Sequence, residues 1–248
     1  MRRLAVVLAL APLFATTLRE PTAQDPVAEP APDRPAHAAI TPQPRTDDWI
    51  LTRQMECMRR AADATPADVL FVGDSITQGW EEDGKDAWQR HFAGLSTRNL
   101  GVSGDRTEHV LWRLQQAPIA RIAPKVVVLL IGTNNLGHGT SNAEQTIDGC
   151  LAVLAALRAQ APQATILVCE IFPRGERVNA MRGDLLQVNQ AVRGQLDAKM
   201  KSLPIGDRWV QKDGTIRKAD MPDFLHLSPA AYEQWALALL PEITAALR

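Results

Sequence analysis

Two short segments, far apart in the chain, hold the residue types that nucleophilic chemistry needs. The first is Val69-Leu70-Phe71-Val72-Gly73-Asp74-Ser75, an apolar run too brief for a helix that stops at a glycine, an acid and a serine. Such a run reads as a buried strand. A serine at its carboxyl end, just before a helix, sits where open α/β sheets bind ligands. Its amide and those of the following helix favour developing negative charge. The second segment is Asp223-Phe224-Leu225-His226. A neutral serine is a poor nucleophile and needs an adjacent base, itself oriented by a third group. Asp223 and His226 fall in one loop or first helical turn, where the carboxylate can hold the imidazole and stabilise its protonated form. Asp74 is a further acid beside the serine, but a short acidic residue before a helix more often caps or braces the loop.

Attack on an ester carbonyl creates an oxyanion, which needs donors placed beforehand. Asn99-Leu100-Gly101-Val102-Ser103-Gly104-Asp105 follows one strand signal, and its glycines let a backbone amide approach a substrate closely. Ile131-Gly132-Thr133-Asn134-Asn135 follows another and puts an amide side chain at the strand end. Each alone is an ordinary glycine-rich turn; together they lie at one edge of the sheet.

The elements that must position these groups alternate. Strand signals fall at Val69 to Val72, Ser96 to Leu100, Lys125 to Ile131, Thr165 to Glu170 and, more weakly, Pro204 to Trp209. Lys125 to Ile131 is continuous and β-branched, as expected of a central strand covered on both faces. Helical patterns fall between them. Asp47-Asp48 can open a helix through Trp49, Met55 and Met58; Ser141-Asn142-Ala143-Glu144 resembles a capping box; Met181 to Met200 is helical; Ser228-Pro229 opens a last helix. Alternating strands and helices predict a three-layer α/β/α sandwich with about five parallel strands.

At 248 residues the chain fits one such domain of about 200 residues plus extras. Residues 1–23, with Arg2-Arg3 before an apolar run broken by Pro12, match a secretory signal peptide, which predicts a secreted or periplasmic protein without stable membrane insertion. Residues 24–45 continue a stretch from Pro21 that holds seven of the seventeen prolines, and read as an extended linker. The domain then spans 46–248. A formal charge of −1 gives no electrostatic reason to expect nucleic acid as a partner. Cys57, Cys150 and Cys169 lack metal-ligand spacing, and Cys150 and Cys169 read as buried small hydrophobes.

Gly73-Asp74-Ser75, Gly104, Gly132-Thr133-Asn134-Asn135 and Asp223-x-x-His226 resemble, in order and spacing, the four blocks of the SGNH or GDSL hydrolases. Within that family, Asp105 through Leu114, Pro173-Arg174-Gly175-Glu176, Asp213-Gly214-Thr215-Ile216 and Asp220 through Leu227 are similar to the catalytic subunits of the brain-type platelet-activating factor acetylhydrolase. The resemblance covers roughly residues 66–247 and implies a flavodoxin-like SGNH fold. It implies Ser75 as nucleophile, His226 as base and Asp223 as its orienting acid. The Ser75 amide, the Gly104 amide and the Asn134 side chain would form the oxyanion hole, with no metal or cofactor. Ser103 departs from the family, standing where those relatives carry glycine, and the G-x-S-x-G elbow of α/β-hydrolases is absent because position 77 is threonine.

The expectation is a secreted serine esterase acting on small acyl esters, acetyl above all, with a carbohydrate as the favoured carrier. A short-chain phospholipid acetylhydrolase and a non-catalytic carbohydrate- or protein-binding module on the same fold are the alternatives. A homodimer is compatible with either. Among the remaining candidates, His109 and Trp112 read as packing residues, and His91 carries no partner signal. His138 reads as a loop residue that could edge the site. Arg174 reads as a salt-bridge partner or a contact for an anionic leaving group. Trp80 could stack on a sugar or belong to the core, and Ile76 and Leu225 could narrow the acyl pocket.

Overall fold

The computed structural model describes residues 36–248. Residues 1–23, expected to be a signal peptide, and residues 24–35 of the expected linker lie outside the described residues. Five strands form one parallel sheet: β1 (Val69–Gly73), β2 (Thr97–Asn99), β3 (Val126–Leu130), β4 (Thr165–Cys169) and β5 (Met200–Leu203), in the order β2-β1-β3-β4-β5. The order reverses between β1 and β3, the place where open α/β sheets form a ligand crevice. Register fixes what emerges there. Gly73 pairs with Leu130, so the turns that begin at Asp74 and Ile131 leave the sheet at the same level.

Among the described residues eight α-helices occur, in chain order α1 (Asp48–Ala62), α2 (Ser75–Gln78), α3 (Lys85–His91), α4 (Thr107–Gln116), α5 (Thr133–Gly137), α6 (Ala143–Gln160), α7 (Ala180–Arg193) and α8 (Pro229–Ala246). Because side chains alternate along a strand, the sheet builds two cores. Leu70, Val72, Val127, Leu129, Ile166 and Val168 pack with α1, α4, α6 and α7. Val69, Phe71, Val126, Val128, Leu130 and Leu167 pack with α3 and α8. Each fully buried Val, Leu or Phe contributes roughly 1.5–3 kcal/mol, which is why β1 and β3, buried at every position, are the strongest strand signals in the sequence. Among the described residues no helix is long and apolar enough to cross a membrane.

Four local readings are corrected. The fifth strand is Met200–Leu203, not Pro204–Trp209, which is a 3₁₀ turn carrying Ile205 and Trp209 into the core. A proline cannot donate to the ladder, and an edge strand with one exposed face shows little apolar pattern. The helix expected from Met181 to Met200 therefore ends at Arg193. The capping box uses Asn142 and Gln145, one residue beyond Ser141 and Glu144. The linker boundary also moves, since the compact unit begins at Ala36, not at Thr46. Residues 36–45 form a strap across α4 and α6. Ala39 is fully buried, Thr107 Oγ1 donates to Ala39 O at 2.8 Å, and the Gln43 amide donates to Glu108 O at 3.2 Å. Gly149 admits this close approach, because a Cβ there would lie 2.3 Å from Thr107 Oγ1 and 2.9 Å from Ala39 O. A segment held by backbone groups, one alanine and polar side chains such as Arg45 leaves no hydrophobic periodicity to read.

Candidate active site

Ser75 is the first residue of α2, and Asp74 is its N-cap. Asp74 Oδ1 accepts from the Ile76 amide at 3.0 Å, so the acid braces the turn as its residue type suggests. The carboxyl group is fully buried and Oδ2 has no hydrogen-bond partner among the described residues. Burial, opposed by the Ile76 amide and the nearby His226 and Arg174 charges, pushes its pKa up to about 7. Beneath the turn, Tyr232 Oη donates to Ile76 O at 2.7 Å. Trp80 stacks against Trp235 and Tyr232, with ring centroids 4.8 Å away in both cases. Trp80 is completely buried and belongs to the core, and so does Ile76; neither lines the cleft.

Asp223 and His226 come from the turn before α8. Phe224 adopts φ +60°, a left-handed conformation rare for a bulky side chain, and its carbonyl accepts from the Gly175 amide at 2.8 Å. The bend brings Asp223 and His226 face to face. Asp223 Oδ2 lies 2.6 Å from His226 Nδ1, while Oδ1 accepts from the His226 amide at 2.7 Å and the Leu225 amide at 3.0 Å. Desolvation alone would raise the Asp223 carboxyl. The hydrogen bonds and charge of His226 outweigh it and hold the group below its ordinary range. His226 Nε2 lies 2.9 Å from Ser75 Oγ, closing a relay from residue 75 to residue 223.

The glycine-rich loop after β2 lies against the end of β1, with Val102 N donating to Gly73 O at 3.1 Å. Gly104 sits at φ +74°, and its N–H has no acceptor among the described residues. Asn134, on α5, donates from Nδ2 to Asp105 O at 2.9 Å, which ties its amide to the Gly104 loop. Asn135 joins α5 to α4 beside it through Thr107, at 2.9 and 3.1 Å. The structure thus brings together Ser75, His226 and Asp223 through direct hydrogen bonds, and Asn134 with the Gly104 loop through another. Such a constellation can transfer a proton from Ser75 Oγ to His226 and offers amide donors to a developing oxyanion.

The cleft beside Ser75 measures about 410 Å³ and is lined by Gln78, Glu82, Asp83, Ser103, Asp223 and His226, among others. Three lining groups are carboxylates and none is lysine or arginine. Gln78 spans it, accepting from the Ser103 amide at 2.9 Å and donating to Glu82 at 2.8 Å.

The sequence did not single out Gln78, Tyr232 or Arg45, and their contacts reach across 25, 156 and 58 residues of chain. Tyr232 had one available signal, as the only tyrosine in the chain. Of the other candidates, His109 is buried, and desolvation with the Arg106 and Arg45 charges holds its pKa down to about 3. His138 is exposed and lies 3.5 Å from Arg106. His91, which carries no partner signal in the sequence, lies 2.7 Å from Glu233. Arg174 donates to Thr133 at 3.3 and 3.4 Å instead of to a carboxylate. Cys57, Cys150 and Cys169 are free and buried; burial pushes the last two thiols up to about 12. Among the described residues no cluster of His, Cys, Asp and Glu is arranged to hold a metal ion.

Comparison with known proteins places the chain in a family. A sequence model of the GDSL-like lipase/acylhydrolase family matches residues 71–234. The chain is 38% identical over 174 residues to the human platelet-activating factor acetylhydrolase IB subunit alpha1, covering 69% of this chain and 73% of that one. Among solved structures, it is similar to a GDSL-like lipase from Bacteroides thetaiotaomicron, with a TM-score of 0.64 and 20% identity, over 78% of this chain and 98% of that one. It is also similar to a carbohydrate acetylesterase from Sinorhizobium meliloti, with a TM-score of 0.56 and 17% identity, over 71% and 98% of the two chains. These last two likenesses concern the fold.

Proposed function

The chain belongs to the GDSL-like lipase/acylhydrolase family and is a carboxylic ester hydrolase, and on that footing we propose that it releases acetyl or similarly short acyl groups through an acyl-enzyme on Ser75. The observation that carries this reading is the relay of 2.9 Å from Ser75 Oγ to His226 and 2.6 Å from His226 to Asp223. Ser75 Oγ bonds to the acyl carbon as its proton passes to His226 Nε2, and Asp223 stabilises the imidazolium so formed. The Ser75 and Gly104 amides and the Asn134 side chain hold the oxyanion. As the C–O bond to the leaving alcohol breaks, His226 returns its proton to that oxygen. A water molecule then attacks the acyl-enzyme, giving its proton to His226, and the free acid departs as Ser75 recovers its hydrogen.

The acidic lining of the cleft supports a neutral, hydroxyl-rich leaving group. A phosphate close to the ester would meet Glu82 and Asp83 with no basic side chain among the lining residues. We therefore favour an acetylated carbohydrate, met outside the cytoplasm if the N-terminal segment acts as a secretion signal. The second reading, a short-chain phospholipid acetylhydrolase, draws on the 38% identity to a platelet-activating factor acetylhydrolase subunit.

Two measurements test the proposal. A fluorophosphonate probe should label the wild type and not Ser75→Ala; an unlabelled, folded wild type would leave the fold as a binding module. Acetate release should be faster from acetylated neutral glycans than from a short-chain phospholipid, and nitrophenyl acetate should be turned over faster than long-chain esters. The opposite order in either comparison would overturn the substrate assignment.

A further inference from the structure

Resting on the reading of Gly104 as an oxyanion donor, we propose that Arg45, carried on the N-terminal strap, is a positioning residue that fixes and polarises the Ser103–Gly104 peptide for catalysis. Arg45 Nη1 donates to Ser103 O at 2.8 Å. That carbonyl and the Gly104 N–H belong to one peptide unit, which is trans, so they point in opposite directions. A guanidinium bound to the oxygen therefore sets the plane in which the N–H is presented. It also draws electron density toward the oxygen, which strengthens the N–H as a donor; coupled hydrogen bonds gain roughly 10–30% in this way.

The contact is built, not incidental. Arg45 is only 8% exposed. Its Nε donates to Asp47 Oδ2 at 2.8 Å, its backbone amide donates to Gln54 Oε1 at 3.0 Å, and its guanidinium lies 5.4 Å from the Trp49 ring centroid. On the loop side, a Cβ on Gly104 would come within 2.9 Å of Arg45 Nη1, so the guanidinium packs directly on the α-carbon of the donor residue. The preceding amide, Ser103 N–H, is held by Gln78 Oε1 at 2.9 Å. Asp105, on the far side of Gly104, is gripped by Arg113 through Oδ2, and its Oδ1 lies 3.6 Å from Arg45 Nη1. With Gln78 and Arg113 fixing the flanks, Arg45 is the group bound to the peptide that matters.

The test uses the full chain with Arg45→Ala, Arg45→Met and Arg45→Lys, each checked for a cooperative melt. For nitrophenyl acetate, kcat should fall about ten- to a hundredfold in the alanine and methionine variants while KM stays within twofold. That is a share of the 10²–10³-fold loss typical of deleting an oxyanion donor outright. Affinity for an alkylboronic acid, which adds to Ser75 Oγ as a tetrahedral anion, should fall in parallel. Arg45→Lys should recover part of the loss, and millimolar guanidinium should partly rescue Arg45→Ala. A folded methionine variant with kcat and boronate affinity within twofold of wild type would overturn the proposal. So would failure of both neutral variants to fold, since Arg45 would then serve the fold first. A wild type inactive on every ester would instead sink the esterase reading itself.

Discussion

Asp74 is buried beside the nucleophile with one carboxylate oxygen unpartnered, and that arrangement has a pH signature. Its ordinary value of 3.8 rises to about 7 in the folded state. The folded protein thus binds this proton more tightly than the unfolded chain does. Stability from this group is fully present below pH about 4, declines as pH rises, and is lost above about 7. Asn at this position keeps an oxygen for the Ile76 amide and cannot ionise. Asp74→Asn should therefore gain stability over the wild type as pH rises from 5 to 8, by on the order of 2–4 kcal/mol at most. In thermal melts this is roughly 5–10 °C at the upper end. A melting difference that does not change across that pH range would show that Asp74 stays ionised throughout. The same residue illustrates what was legible at this scale. Asp74, Ser75, Asp223, His226, Gly104 and Asn134 each sit in a short local motif, so type and spacing expose them. Arg45 and Gln78 act on the Gly104 loop from distant or unremarkable positions, and no local pattern marks them.

At the scale of elements, α2 is a single turn of four residues and cannot hold Ser75 in place by itself. What holds it is α8. Tyr232 reaches from that helix to the Ile76 carbonyl at 2.7 Å, and Trp80 and Trp235 pack beneath. Tyr232→Phe keeps the ring and removes only the hydroxyl, leaving a buried carbonyl unpaired at about 1–3 kcal/mol. The expected result is a melting temperature lower by roughly 3–9 °C and a kcat reduced a few-fold with KM unchanged. An unaltered melt would mean that Ile76 O finds another donor. The strands show why some elements read well from sequence and others do not. β1 and β3 are apolar at nearly every position because both faces are covered, whereas β5, Met200–Leu203, is an edge whose polar half hides it. Similarly, Ser141-Glu144 and Asn142-Gln145 fit the capping pattern equally, and only the backbone chooses the second. The bend at Phe224 left no sequence signal, since bulky residues seldom take positive φ.

For the whole molecule, the boundary of the folded body decides which residues belong to the machine. Proline content puts that boundary at Thr46, yet the compact unit starts at Ala36. Pro42 and Pro44 suit the role, since fixed extended backbone loses little entropy when laid across α4 and α6. Removing residues 36–45 takes away the buried Ala39 and uncovers Gly149 beneath it, frees Thr107 Oγ1 and the Glu108 carbonyl from their strap partners, and takes Arg45 from Ser103. Counting about 0.5–1.5 kcal/mol for each lost hydrogen bond, more where a buried partner is left bare, the loss is about 3 kcal/mol or more. A chain beginning at Thr46 should therefore melt at least roughly 6–12 °C below one beginning at Ala36. Its kcat on nitrophenyl acetate, measured well below both melts, should also drop, because the strap reaches the site through one peptide group. Equal melts for the two chains would return residues 36–45 to the linker, and equal melts with unequal kcat would leave the strap a catalytic role without a structural one.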